Sequence, residues 1–275
     1  MPSATRSRRL ADGKLLVDEP ADGVVRLTIS NPAKRNALDH PILDAISATL
    51  TELTGVGGSE SQTRCVIVTG AHGMFSAGYD IGEIPDDEFE ERAEALVAHP
   101  FTEAIEALEG FPHPTLAALP GHAIGGGLEL ALACDLRVAR DGIKLGMPPA
   151  KLGLVYSHTG LRRFIDAIGA TRTRELFLLG RYITAPTALA WGLVNRVFDD
   201  PALMSEARRL AHELAAGPTV ALGLIRRLYW ESPENAFEEQ LDLECRMQRI
   251  AGASADFGEG VKAFLEKRPT QFAGK

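Results

Sequence analysis

What this chain lacks narrows its function first. No apolar run approaches the ~20 residues that a bilayer-spanning helix requires, so nothing points to a membrane partner. The three cysteines, Cys65, Cys134 and Cys245, are widely spaced and form no CxxC or other metal-ligand pattern. That excludes a disulfide framework and leaves a metal site without support. Cys65 and Cys134 lie in or beside apolar runs and read as small buried thiols in a reducing, cytoplasmic setting. Positive charge is also short: 29 Lys and Arg face 37 Asp and Glu, for a formal net charge of −8. Nucleic-acid binders usually present a basic face, so no nucleic-acid partner is expected.

Several catalytic signatures are missing too. There is no GxGxxG dinucleotide fingerprint and no GxxxxGKS/T phosphate loop. No GxSxG elbow surrounds Ser76, so it lacks the context of a hydrolase nucleophile. His212-Glu213 is followed by Ala215 and Ala216 rather than a second histidine, so it is no zinc-protease pair. The first nine residues carry Arg6, Arg8 and Arg9 without an apolar stretch behind them and read as a frayed tail.

What is present is an ordinary globular composition, 45% hydrophobic and 24% charged, in 275 residues, enough to bury a sizeable core. Residues 24–29 are rich in β-branched side chains and read as a strand closed by Asn31-Pro32. Asp39 is an N-cap candidate with Pro41 in the first turn. Leu43, Ile46, Leu50 and Leu53 then give one apolar helical stripe, and the 55–59 stretch ends it. Residues 65–69 form a wholly apolar strand, expected to be buried on both faces. The acidic 86–109 stretch, with Phe89, Ala93, Leu96 and Ile105, reads as solvated helix over the core, its front end a candidate lid. Strands are predicted at 115–119 and 135–139, with a helix through Ala133 between them. That alternation predicts an α/β core with crossover connections. From Leu161 the pattern turns helical. Thr184 caps a helix with Pro186 at its start and Gly192 at its stop, and further helices fall at 201–216, 219–230, 234–250 and 255–266. The expected organisation is a flexible tail over 1–13, a core over 14–198 and a helical subdomain over 199–275.

Two glycine-rich stretches carry the chemistry: Phe75-Ser76-Ala77-Gly78-Tyr79-Asp80-Ile81 and Ile124-Gly125-Gly126-Gly127-Leu128-Glu129. Each follows an apolar strand, and the second opens a helix. Bare N–H groups at such turns suit a negatively charged oxygen, and two loops can give one donor each to the same oxyanion. That is the machinery for enolate chemistry on a thioester.

Asn31-Pro32-Ala33-Lys34-Arg35-Asn36-Ala37-Leu38, the 75–81 loop and the Gly125-Gly126-Gly127-Leu128-Glu129 run, in this order, resemble the crotonase (enoyl-CoA hydratase/isomerase) superfamily. Tyr182-Ile183-Thr184-Ala185, Ala190-Trp191-Gly192-Leu193-Val194-Asn195 and Ala263-Phe264-Leu265-Glu266-Lys267-Arg268 are similar to its later stretches. The resemblance covers nearly the whole chain. It implies an α/β spiral of ββα units with a C-terminal helical trimerisation region, assembled as a homotrimer or as a hexamer built from two trimers. It also implies an acyl-CoA thioester substrate whose CoA is part of the substrate, so that no separate cofactor is needed. The amides of Tyr79 and Gly126 would form the oxyanion hole. Lys34, Asn36, Ala37 and Leu38, with Ala77, Asp80, Ile81, Gly82 and Gly125, would line the substrate channel. Phe264 and Lys267 would reach the CoA of a neighbouring subunit.

The chain departs from the family at the carboxylates. Hydratases of the superfamily place two glutamates on one water; the first corresponds to Glu129, and the second falls at Pro149, which can neither accept nor donate a proton. Glu129 reads as a catalyst or as a carboxylate stabilised by nearby amides; Asp80 reads as a loop-ordering carboxylate. Leu152-Gly153-Leu154-Val155-Tyr156 puts a tyrosine where hydratases usually carry proline, and methylmalonyl-CoA decarboxylases of the superfamily look similar here. Tyr156 could hold a substrate carboxylate or deliver a proton, or pack with its hydroxyl on backbone. His158 reads as a solvated loop histidine and His122 as packing beside the turn. Decarboxylase-type lyase chemistry is the favoured expectation, because loss of CO₂ makes the enolate without a strong base. The alternatives are enoyl-CoA hydration by Glu129 alone and a catalytically inactive CoA-thioester-binding protein.

Overall fold

The computed structural model describes residues 7–55, 62–82 and 99–275. Strands β1 (Ser7–Leu10), β2 (Leu15–Ala21) and β3 (Val24–Ile29) run antiparallel. From β3 the sheet continues in parallel through β4 (Cys65–Gly70), β5 (Thr115–Leu119), β7 (Leu136–Arg140) and β10 (Arg196–Phe198). A second, three-stranded sheet joins β6 (Ala123–Ile124), β8 (Lys144–Gly146) and β9 (Ile183–Thr184).

The central strands are buried on both faces, which is why they read as unbroken apolar runs. One face, with Val25, Leu27, Val66, Val68 and Ala117, packs in one core with the helices His40–Leu53 and His99–Glu109. The other, with Val24, Cys65, Ile67, Leu116 and Val138, is covered by the helix Leu203–Ala215 through Leu203, Ala207, Leu210 and Ala211. The helical C-terminal stretch therefore begins as part of the core, before the helices Thr219–Glu231, Phe237–Gly252 and Ala255–Glu266.

Local signals placed most elements. The Asp39 carboxylate accepts from the Ile42 amide at the start of His40–Leu53, and Leu43, Ile46 and Leu50 are fully buried. Thr184 caps Ala185–Trp191, and Gly192 follows it at φ +83°. Cys65 and Cys134 are buried as expected. The stretch expected to be a tail corrects in part: Ser7–Leu10 pairs with β2 as an edge strand, turning through Ala11, Asp12 and Gly13, all at positive φ. The strand β2 went unread, because Asp18 and Glu19 break its alternation; Asp18 is buried and paired with Arg26 at 2.9 Å. Of the acidic stretch, only His99–Glu109 lies within the described residues, and there Ala104, Ile105 and Leu108 are core rather than solvated. The expected lid over its front end, with Phe89, Ala93 and Leu96, lies outside the described residues.

Candidate active site

The site grows from the ends of the parallel strands. Ile29 and Gly70 are in register, so the chains leaving β3 and β4 emerge side by side. Asn36 sits at φ +57° with its side chain fully buried. Its Oδ1 accepts from the Asn31 amide at 2.8 Å, and its Nδ2 donates to the carbonyls of Ala71 and Met74 at 3.0 and 2.8 Å. That side chain is spent on tying two loops together.

The 75–80 loop is held between two neighbours. On one side Leu38 N donates to Gly78 O at 2.8 Å and Asp80 N to Leu38 O at 2.9 Å. On the other, Ser76 N donates to His122 O and Ile124 N to Ser76 O at 3.0 Å. Glycine makes the contact close enough: Gly78 lies at φ +106°, and a Cβ there would fall 2.8 Å from Ile124 O. A Cβ on Gly127 would fall 2.6 Å from the Ser76 Cβ. Gly125 N donates to Gly146 O at 2.9 Å, which anchors the turn to the second sheet.

This stitching brings the amides of Tyr79 and Gly126 together; a Cβ on Gly126 would lie 3.4 Å from Tyr79 N. Neither amide donates to a partner among the described residues. Two such fixed donors can hold a developing oxyanion without reorganising. Phe101, which sequence reasoning missed, closes one side. Its Cε2 would be 3.1 Å from a Cβ on Gly126, and its ring meets that of Tyr79 edge-on at 6.3 Å. Only the packing of its helix reveals it. The Tyr79 hydroxyl bonds His40 Nε2, and burial, then Asp80 and Asp44, push that phenol above its ordinary range.

Glu129 lies in the first turn of the helix Gly126–Leu132 and is 2% exposed. Its Oε2 accepts from the Tyr156 hydroxyl, and its Oε1 lies 3.1 Å from Arg163 Nη1. Burial raises its carboxyl above the usual range; the Tyr156 hydrogen bond and the Arg163 charge offset only part of this. Burial and the Glu129 charge hold the Tyr156 phenol well above its own range. The hydroxyl of Tyr156 is thus on a carboxylate, not on backbone. Gly160 permits the approach, since a Cβ there would fall 2.8 Å from Glu129 Oε1. Pro149 is buried in the 3₁₀ turn Pro149–Leu152, three residues beyond the Gly146 that anchors Gly125. His158 is exposed at the start of the helix His158–Leu179, and His122 Nδ1 accepts from Lys144 N at 3.0 Å.

The expected channel residues gather along one rim. Lys34 pairs with Asp80 at 2.6 Å, and Gly82 N donates to Asp80 Oδ1 at 3.1 Å. Burial raises the Asp80 carboxyl, but Lys34, the Gly82 amide and Lys14 outweigh it and leave the group below its usual range. Ala37 and Leu38 bury their side chains, whereas Ile81 and Gly82 are exposed. Phe264 and Lys267 are at the end of the last helix. Phe264, 83% exposed, lines a surface groove of about 400 Å³ with Pro218, Phe257, Val261 and Phe272. Among the described residues no group of His, Cys, Asp and Glu is arranged to hold a metal ion.

Comparison with known proteins accords with this geometry. The enoyl-CoA hydratase/isomerase family model matches residues 19–275. The chain is 36% identical to the 1,2-epoxyphenylacetyl-CoA isomerase of Escherichia coli (strain K12), over 92% of this chain and 96% of that protein. It is 32% identical to the 2,3-dehydroadipyl-CoA hydratase of the same organism, over 92% of this chain and 96% of that one. The crystal structure of an enoyl-CoA hydratase from Bacillus anthracis superposes with a TM-score of 0.85 at 29% identity, covering 95% of this chain and all of that one. From its paired glycine turns to its C-terminal helices, this chain belongs to the enoyl-CoA hydratase/isomerase family, the crotonase superfamily of acyl-CoA enzymes.

Proposed function

We propose that the amides of Tyr79 and Gly126 hold the thioester oxygen as an enolate and that Glu129 alone moves the proton. The observation carrying this reading is the state of Glu129: a buried carboxyl raised above the ordinary range, held by Tyr156 on one oxygen and Arg163 on the other. A carboxyl shifted in that direction is a better base than an ordinary one and can both take and return a proton. Each backbone donor is worth roughly 10²–10³ in rate where such donors have been removed.

A single carboxylate best fits a double-bond shift, in which one group removes a proton at one carbon and returns it at another. The family model, which covers hydratases and isomerases alike, is compatible with this choice. Hydration asks more, because one group must draw a proton from water and also supply one to carbon, and Pro149 offers nothing. Decarboxylation is the second reading, favoured by the Tyr156 hydroxyl on Glu129, where a proton is at hand for an enolate. Against it, Arg163, the cation bonded to that pair, is already shared by two carboxylates and has little charge left for a substrate carboxylate. The proposed form is a cytoplasmic homotrimer or hexamer, supported by the exposed Phe237, Phe257, Phe264 and Leu265 on the last two helices.

The test offers a 3-enoyl-CoA, crotonyl-CoA and methylmalonyl-CoA to the purified protein in deuterated buffer, with products read by mass spectrometry and by conjugated enoyl absorbance. The 3-enoyl-CoA is expected to isomerise with most of the transferred hydrogen retained rather than exchanged for deuterium, and Glu129→Gln to lose about 10²–10⁴ in kcat. Pro149→Glu is expected to raise crotonyl-CoA hydration. Loss of CO₂ that survives Glu129→Gln would move the assignment to decarboxylation, and CoA binding without any turnover would make this a binding protein.

A further inference from the structure

Behind Glu129 stands a side chain that none of the family motifs uses. Arg163, in the second turn of His158–Leu179, bridges two carboxylates from two other helices. Its Nε and Nη2 both engage Glu109, the last residue of His99–Glu109, with Nη2 to Oε2 at 2.9 Å. Glu129 is met by Nη1, in a single bond of 3.1 Å to Oε1. The three side chains are 14%, 18% and 3% exposed, so the cluster is largely withdrawn from solvent screening.

The geometry of guanidinium decides what this sharing does. Arginine pairs best with a carboxylate through two parallel N–H groups of its fork. Glu109 takes the two-point Nε–Nη2 edge, and Glu129 receives one bond from Nη1 rather than a two-point clamp. Resting on the reading that Glu129 moves the proton, we propose that Glu109 is a positioning residue: by engaging Arg163, it keeps Glu129 free to change protonation state during turnover. Among the described residues, the charged and titratable groups facing Glu129 are Tyr156 from the preceding loop, Arg163 from the helix beside it, and Glu109 behind Arg163. Without the Glu109 charge, Arg163 turns fully to Glu129 and holds it as an anion. Without Arg163, Glu129 is a buried carboxyl with no cation beside it among the described residues.

The two losses act in opposite directions, and that separates the proposal from a structural role. Glu109→Gln is expected to move the acid limb of the kcat/KM–pH profile down by about 1 unit, and Arg163→Gln to move it up by about as much. In Glu109→Gln, kcat falls while KM holds, and Glu109→Asp restores part of the loss. Infrared titration of the Glu129 carboxyl band, identified by its absence in Glu129→Gln, follows the same shifts without substrate. A band that does not move in either variant, or moves the same way in both, overturns the proposal, even if both variants are less stable. Full activity in Glu129→Gln would instead overturn the underlying reading, while the infrared titration would still score Glu109.

Discussion

The two sides of this site are built from different materials. On the side of the Tyr79 and Gly126 amides, position is set by backbone: Leu38, Gly78 and Asp80 exchange main-chain hydrogen bonds, and glycine is required because any Cβ would strike the facing loop. On the carboxylate side, position is set by side chains reaching across from three helices and a loop, Glu129, Tyr156, Arg163 and Glu109. The first side depends on backbone position alone; the second depends on the identity of its side chains as well, with Gly160 leaving room for Glu129. Evolution of a new reaction on this scaffold would therefore act on the second side and leave the first alone.

Gly78→Ala should break the comparison most severely. Its positive φ and the 2.8 Å approach to Ile124 O leave no room for a methyl, so the two amides should part. A drop of about 10²–10³ in kcat is expected in steady-state assays, with a smaller change in CoA-thioester binding by calorimetry. A Tyr79→Phe control should keep the amide and most of the rate.

Tyr156→Phe tests the other side and should cost about tenfold in kcat, less than the ~10²–10⁴ of a proton-transferring group, because Tyr156 acts through Glu129. The sign of its pH effect is set by its hydrogen bond, which lowers the Glu129 carboxyl. Removing that bond raises the carboxyl further, so the acid limb of the kcat/KM–pH profile should move upward. A downward move would mean that Tyr156 does not act on Glu129.

Lys34→Met should have the smallest effect. Lys34 and Asp80 form a rim ion pair, with the Lys34 side chain 54% exposed, and such pairs contribute about 0–1 kcal/mol. A change in KM of less than about fivefold, with kcat and thermal midpoint unmoved, is expected from that range.

The legible parts of the fold were those with short-range causes. A cap such as Asp39, a stop such as Gly192 and an apolar strand such as Cys65–Gly70 each leave a local mark. Strand β2 left none, because buried Asp18 is explained only by Arg26 on the neighbouring strand. The two glycine turns were legible for the same local reason, since runs of glycine mark close backbone approach. Phe101 and Glu109 were not, because both sit in an acidic helical stretch that looks like solvated surface. Their roles come from what they meet in space, Gly126 in one case and Arg163 in the other.

By itself, the sequence determined the α/β alternation, the two glycine turns and the presence of Glu129 and Pro149, all properties of residue type and spacing along one stretch of chain. Only the tertiary structure decided that the Tyr156 hydroxyl lies on Glu129 and that Arg163 is divided between two carboxylates. Those contacts join residues 27, 34 and 54 positions apart. Whether such groups meet depends on how helices pack on the sheet, and so does the charge each one carries, because burial and neighbours set it.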